Sequence, residues 1–139
     1  MQCKRGTGTI QWNAGSWFGP QVGGTFWLLG SAFLLLGQTP QLAAVLFGCF
    51  VLPNLVGTII WMNRDKLDPY RALQALILAL FVFTTIALVS ADWFGVLGEL
   101  DQRFKNPRQM YFVLLMYPTL MTILHFRNRA TSRATEPNS

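Results

Sequence analysis

Residues 39–62 read TPQLAAVLFGCFVLPNLVGTIIWM, an apolar stretch that contains no charged side chain. At 1.5 Å per residue, a helix that begins at Pro40 matches a membrane hydrocarbon core of about 30 Å. Proline is favoured in the first turn of a helix, where its missing N–H has no partner to lose, and Thr39 before it offers an N-cap oxygen. The pattern predicts a membrane helix over residues 40–62.

The same pattern of a proline followed by an apolar run recurs three times along the chain. The prolines are Pro20, Pro69 and Pro107, which follow Gly19, Asp68 and Asn106. The spans they predict are 20–37, 69–91 and 107–126. Charged residues make up only 12% of the 139 residues, whereas a soluble domain carries about a quarter. We therefore predict an all-α integral membrane protein, a single domain over residues 1–139 that forms a four-transmembrane-helix bundle.

The positive charges are distributed unevenly between the two sides of a four-span layout. One side receives Lys4, Arg5, Arg64, Lys66, Arg71, Arg127, Arg129 and Arg133, and the other receives Arg103, Lys105 and Arg108. Because cytoplasmic loops are enriched in lysine and arginine, we expect both termini in the cytoplasm and the protein in the plasma (inner) membrane. The basic side then faces lipid headgroups, and we expect no binding to nucleic acid. Residues 127–139 are polar and aperiodic, which predicts a disordered cytoplasmic tail.

The connection between the third and fourth spans is the one long loop. Its apolar residues at 93, 96, 97, 100 and 104 recur with a helical period, and its charged residues fall mostly opposite. This predicts a short amphipathic segment that lies in the membrane interface. Tryptophan and tyrosine at the span ends are typical of anchors at headgroup depth, and they are Trp12, Trp17, Trp61, Tyr70 and Trp93.

Small residues form a stripe along the first two spans. The stripe comprises Gly23, Gly30 and Gly37 in span one and Ala44 and Gly48 in span two. Lipid gives helices no hydrophobic reason to associate, so close van der Waals approach between small residues is a main source of helix contact in membranes. We expect the stripe to serve contact within the chain in preference to contact between copies.

No ionisable residue lies near the centre of any span, and no group of residues has the spacing of metal ligands. We therefore expect no catalytic activity, no cofactor and no metal. The polar or helix-breaking positions inside the spans are Pro53, Asn54, Thr84, Thr85, Pro118 and Thr119, with Gln21, Thr25 and Thr58 as further uncharged polar positions. Proline frees backbone carbonyls that either line a water path or are satisfied by neighbouring helices, and Asn54 alternatively forms a hydrogen bond between helices.

Two functions remain open from the sequence. The first is a non-catalytic membrane protein that acts through lateral helix contacts, as an accessory or assembly subunit or as a homo-oligomer. Its partners would be the lipid bilayer and other membrane subunits or copies of itself. The second is a small oligomeric channel or facilitator whose pathway uses the proline-containing middles of spans two and four.

Overall fold

The computed structural model describes residues 12–97 and 106–134, and these residues form an all-helical protein. The helices are α1 (Ala14–Leu35), α2 (Pro40–Met62) and α3 (Pro69–Trp93), then a 3₁₀ helix (Pro107–Leu115) that continues directly into α4 (Met116–Ala134). The prediction of an all-α protein is confirmed. The predicted span 40–62 coincides with α2, and the predicted span 69–91 ends two residues before α3 does.

Three helical segments are long and apolar enough to cross a membrane, which indicates a membrane-embedded protein. They are Pro40–Met62, Pro69–Trp93 and Arg108–Ala130. The first helix, α1, is not among them, since glycines and polar side chains lower its hydropathy. A fourth membrane helix and the orientation with both termini inside therefore stay predictions.

The start of α1 differs from the prediction. Pro20 lies inside the helix and does not begin it, because Asn13 provides an earlier N-cap. The Asn13 side-chain oxygen accepts hydrogen bonds from the backbone N–H of Gly15 at 2.9 Å and of Ser16 at 3.4 Å. Since the N-cap satisfies two donors that would otherwise be unpaired, the helix gains a turn and a half before the proline.

The other X-Pro steps begin helices as predicted, with different caps. Asp68 accepts from the backbone N–H of Arg71 at 3.2 Å, and Asn106 accepts from that of Arg108 at 3.1 Å. Thr39 makes no such bond, and its hydroxyl is buried without a partner among the described residues. Asp68 and Asn106 therefore cap their helices, whereas the predicted N-cap at Thr39 does not.

A glycine ends α3 and turns the chain back onto the bundle. Gly95 has φ +72°, the left-handed conformation that glycine adopts without steric cost. The N–H of Val96 bonds to the carbonyl of Ala91, and the N–H of Gly95 bonds to that of Asp92, each at 3.0 Å. These are the two bonds of a Schellman motif. They direct Val96 and Leu97 into the core, where the side chains are 9% and 2% exposed.

The segment predicted to lie in the interface falls mostly outside the described residues. Of its predicted apolar face, Val96 and Leu97 are buried, whereas Trp93 is 87% exposed. These three residues do not share one exposed face. The amphipathic segment in the membrane interface therefore stays a prediction.

The predicted disordered tail is wrong for its first part. The last helix, α4, continues to Ala134, so residues 127–134 are helical, and residues 135–139 lie outside the described part. Arginine and alanine are good helix formers, and neither glycine nor proline interrupts the sequence before Pro137. Low hydropathy shows where the membrane span ends, and it does not show where the helix ends.

The helices follow one another as antiparallel neighbours. The first helix packs mainly on α2, α2 on α3, and α3 on both the 3₁₀ helix and α4. Two hydrogen bonds join the ends of α3 to the helices that follow: Tyr70 Oη lies 3.0 Å from His125 Nδ1 of α4, and Tyr111 Oη of the 3₁₀ helix donates to Asp92 at 3.2 Å. His125 and Asp92 therefore lie at opposite ends of the bundle.

Aromatic side chains join the start of α1 to the end of α2. The ring centroid of Trp12 lies 5.0 Å from that of Trp17 and 5.7 Å from that of Trp61, and Phe18 lies 5.4 Å from Trp61. Trp17 is only 6% exposed, so it is a core residue and not the headgroup anchor that its position in the sequence predicts. This cluster fixes the register of α1 on α2.

Candidate functional site

The α1–α2 interface contains a polar cluster about halfway along both helices, formed by Gln21, Thr25 and Asn54. The Gln21 amide nitrogen donates to the Asn54 backbone carbonyl at 2.9 Å and lies 3.2 Å from the Asn54 side-chain oxygen. The Asn54 amide nitrogen donates to Thr25 Oγ1 at 2.9 Å, and Thr25 in turn donates to the Gln21 carbonyl at 2.9 Å. Gln21 and Thr25 are each 1% exposed. We call this cluster the polar seam.

Pro53 explains why the seam forms at this depth of α2. Proline has no N–H, so it removes the helical bond to the carbonyl of Cys49 and weakens the helix locally. Asn54 reinforces the same turn, since its amide nitrogen donates to the carbonyl of Phe50 at 2.6 Å while also reaching Thr25. The Asn54 carbonyl is shared by Gln21 and by the hydroxyl of Thr58 at 2.8 Å. Asn54 thus forms hydrogen bonds between α1 and α2, which is the interhelical alternative predicted for it.

Gly57 makes room for Gln21. A Cβ atom at Gly57 would overlap the Oε1, Cδ and Nε2 atoms of the Gln21 amide, closer than real Cβ contacts occur. One turn along, the indole N–H of Trp17 donates to the Gly57 carbonyl at 3.1 Å in a buried bond. Gln21 Oε1 is buried with no hydrogen-bond partner among the described residues. The position of the Gln21 amide is therefore fixed by the hydrogen bonds of its nitrogen to Asn54 and by the space that the missing side chain of Gly57 leaves.

The polar residues of α3 and α4 form separate contacts. Thr84 and Tyr117 share a buried hydroxyl–hydroxyl bond of 2.8 Å between the two helices. Thr85 donates to the carbonyl of Phe81 and Thr119 to that of Leu115, in each case four residues earlier in the chain. These bonds are the ones that threonine forms in a membrane helix when no other partner is near.

The two prolines predicted to line one pathway are not brought together. Pro53 is buried and Asn54 faces α1, whereas Pro118 and Thr119 are exposed on α4. The structure therefore does not join the middles of α2 and α4 into one polar lining within a chain.

The predicted small-residue stripe lies on the outside of the bundle. A Cβ added at Gly23, Gly30, Gly37 or Gly48 would meet no atom of the described residues within 4 Å, and Ala44 is exposed. The expectation that the stripe serves contact within the chain is therefore wrong. The reason is rotational: the buried residues Gln21 and Leu28 lie two positions before Gly23 and Gly30, which is about 200° round the helix, and Gly37 lies beyond the end of α1.

The outward side of α1 has a defined shape. Residues spaced by seven on a helix fall within about 20° of two full turns, so Gly23 and Gly30 lie nearly in line along α1, and Gly37 follows in the turn after the helix. Phe26 and Phe33, which are 61% and 68% exposed, lie along one side of this line, and Leu34, which is 80% exposed, lies on it one turn beyond Gly30. We call this surface the glycine groove.

Some of the residues that build these surfaces were not identified from sequence. Gly57, Trp17 and Tyr117 each contact a partner on another helix, yet the sequence singles out only Trp17 of the three, as a headgroup anchor. A usable signal was the spacing of four between Trp17, Gln21 and Thr25, which places all three on one face. Their partners on α2 have no comparable pattern, since Asn54 and Gly57 acquire their roles only when the two helices meet.

Neither the polar seam nor the glycine groove can be assigned through a relative. Comparison with protein families, with characterised proteins and with solved structures finds no match to this chain.

Proposed function

We propose that this protein is a non-catalytic membrane bundle that acts by lateral contact of its glycine groove with a helix of another membrane subunit or of a second copy. One observation carries the proposal: Gly23 and Gly30 have open space where a side chain would be, and they face away from the chain's own helices. Glycine in a membrane helix lets another backbone approach closely. Within the described residues, no other helix packs against this surface.

The polarity of α1 supports its crossing of the membrane as a fourth span. Its polar residues Gln21 and Thr25 face α2 and are 1% exposed, whereas Phe26, Phe33 and Leu34 on the outer side are more than half exposed. A helix at the surface of a soluble protein has the opposite arrangement. Lipid around the middle of α1 would meet mainly apolar side chains, because Gln21 and Thr25 bond to Asn54 of α2. With four spans the chain has both ends on one side, for which the distribution of Lys and Arg favours the cytoplasm.

The channel alternative has less support. Asn54, Thr84, Thr85 and Thr119 all have hydrogen-bond partners in protein, so they offer little to a permeating ion or solute. A pathway between several copies would need polar groups on an outward surface. The outward surface of α1 instead carries glycine and large apolar residues.

The proposal is tested by the mass of the purified complex in nanodiscs. We expect the wild-type protein to exceed the mass of one chain, either with a second copy or with a partner that copurifies. Gly30→Leu should reduce it to one chain, since leucine in the groove holds the two backbones apart.

Gly24→Leu is the matched control. Gly24 also has open space around it, but it lies about 100° away from Gly23 on the helix. It should keep the wild-type mass. A single chain for all three proteins would contradict the proposal, and a closed ring that conducts ions would favour the channel.

A further inference from the structure

One end of the bundle carries nearly all the positive charge of the described residues. At the end where α2 finishes, α3 begins and α4 finishes, the cations are Arg64, Lys66, Arg71, Arg127 and Arg129, and the carboxylates are Asp65 and Asp68. Among the described residues, the opposite end has one cation, Arg108, and one carboxylate, Asp92. The difference is a property of the folded bundle, because the antiparallel order of the helices gathers three separate segments.

Most of these cations have no carboxylate partner. Within the described part of the chain, Arg64, Lys66, Arg71 and Arg129 are exposed and form no ion pair. Asp68 is already engaged as the N-cap of α3, where it accepts from the backbone of Arg71. The charge at this end is therefore available to an anion outside the chain.

Arg64 is held in place by aromatic packing. Its guanidinium carbon lies 5.1 Å from the ring centroid of Trp61, and Nη1 lies 3.4 Å from the Trp61 carbonyl. Trp61 is in turn packed against Trp12 and Phe18 of α1. An arginine stacked on a ring keeps its free N–H groups in a plane that suits phosphate oxygens. Tryptophan prefers the depth at which lipid headgroups lie.

We infer that this end of the bundle, the basic collar of Arg64, Lys66, Arg71 and Arg129, binds the headgroups of anionic phospholipids in the adjoining leaflet. The positive charge of the collar favours an anionic ligand such as a phosphate group. Because the collar lies at the end of membrane-spanning helices, that phosphate is expected to belong to a lipid headgroup and not to a free anion. The collar would bind several headgroups around the bundle through its charge. The contact at Arg64 would have the best-defined geometry, because Trp61 fixes the orientation of its guanidinium group.

The test measures binding of short-chain phosphatidylglycerol to the full-length protein in neutral detergent, by native mass spectrometry and by the shift in melting temperature. Phosphatidylcholine is the lipid control, and inorganic phosphate is the free-anion control. We expect phosphatidylglycerol to bind and to raise the melting temperature, with neither control doing so. Equal effects of the two lipids, or saturation of the effect by inorganic phosphate, would overturn the inference.

Variants locate the site. The combined change Arg64→Gln, Lys66→Gln and Arg71→Gln should weaken phosphatidylglycerol binding on the order of 100-fold, since each cation near a membrane surface contributes about fivefold. Arg108→Gln at the opposite end is the matched control and should bind as the wild type does. An equal loss in the control would contradict the assignment.

Two further measurements test the inference if the triple variant does not fold. Arg64→Gln alone should weaken binding about fivefold, and raising the ionic strength should weaken binding to the wild type because salt screens exposed charges. Binding that is insensitive to salt, or tighter binding of a polyglutamate peptide than of the lipid, would reject a lipid-headgroup surface.

Discussion

Replacing Gly57 by alanine should destabilise the α1–α2 pair, although alanine is the better helix former. The new Cβ would occupy the place of the Gln21 amide, so the side chain must leave its position. It would then lose the bonds from its nitrogen to the Asn54 carbonyl at 2.9 Å and to the Asn54 side-chain oxygen at 3.2 Å. Because Gln21 is 1% exposed, no water replaces them.

The size of the effect follows from these bonds. Interhelical hydrogen bonds in membrane proteins contribute about 0.6 kcal/mol on average and up to about 1.7 kcal/mol. An unsatisfied buried amide costs about 1–3 kcal/mol. Alanine in place of glycine returns up to about 1 kcal/mol through helix propensity. Gly48→Ala cancels this last contribution, since Gly48 lies in the same helix and its new Cβ would meet no atom within 4 Å.

The assay is reversible unfolding of the full-length chain in mixed micelles, followed by circular dichroism. We expect Gly57→Ala to be about 1–3 kcal/mol less stable than Gly48→Ala. In a Gln21→Ala background the difference between the two variants should disappear, because the group that the Cβ displaces is gone. The reasoning is refuted if the two variants are equally stable, or if their difference persists without Gln21.

Three further predictions concern the remaining polar residues and the topology. Asn54→Leu should lower stability by about 1–2 kcal/mol, since it removes the bonds to Thr25 and Phe50; proteoliposomes of wild type and variant should show no ion flux, and flux in the wild type that the variant loses would support a channel instead. Tyr117→Phe should cost about 1 kcal/mol in thermal unfolding through the buried bond to Thr84, and more than Tyr111→Phe, whose bond to Asp92 is exposed. Reporter fusions should read outside, inside, outside and inside when placed after Gln38, Lys66, Glu99 and Ser139; a C-terminal fusion that reads outside would contradict the proposed orientation.

Much of the architecture could be read from the sequence because its determinants are local. The apolar run after Thr39 and the proline at its head define α2 without reference to any other part of the chain. The start of α1 was missed because a strong N-cap at Asn13 outweighs the cost of Pro20 seven positions on. Two local signals competed there, and the sequence does not rank them.

The rotation of each helix about its axis could not be predicted from local sequence, because it depends on contacts with other helices. Glycine spacing in α1 indicates a contact surface, but it does not say whether the contact lies within the chain. The polar residues Gln21 and Thr25 determine the answer, since hydrocarbon cannot satisfy them and α2 can. Once they face α2, the glycines must face outward. Hydrogen-bonding needs therefore determine the rotation of this helix, and the small residues follow.

The most direct test of the lateral-contact proposal is disulfide crosslinking at the glycine groove in the native membrane. Gly30→Cys, in a background with Cys3→Ser and Cys49→Ala, should form a crosslinked species of discrete higher mass under mild oxidation, either with a second copy or with a cysteine-bearing partner. Gly24→Cys is the control, because it lies on the same helix at a different angle and should stay uncrosslinked. Equal crosslinking of both positions, or of neither under conditions that crosslink a known membrane dimer, would contradict the proposed contact surface.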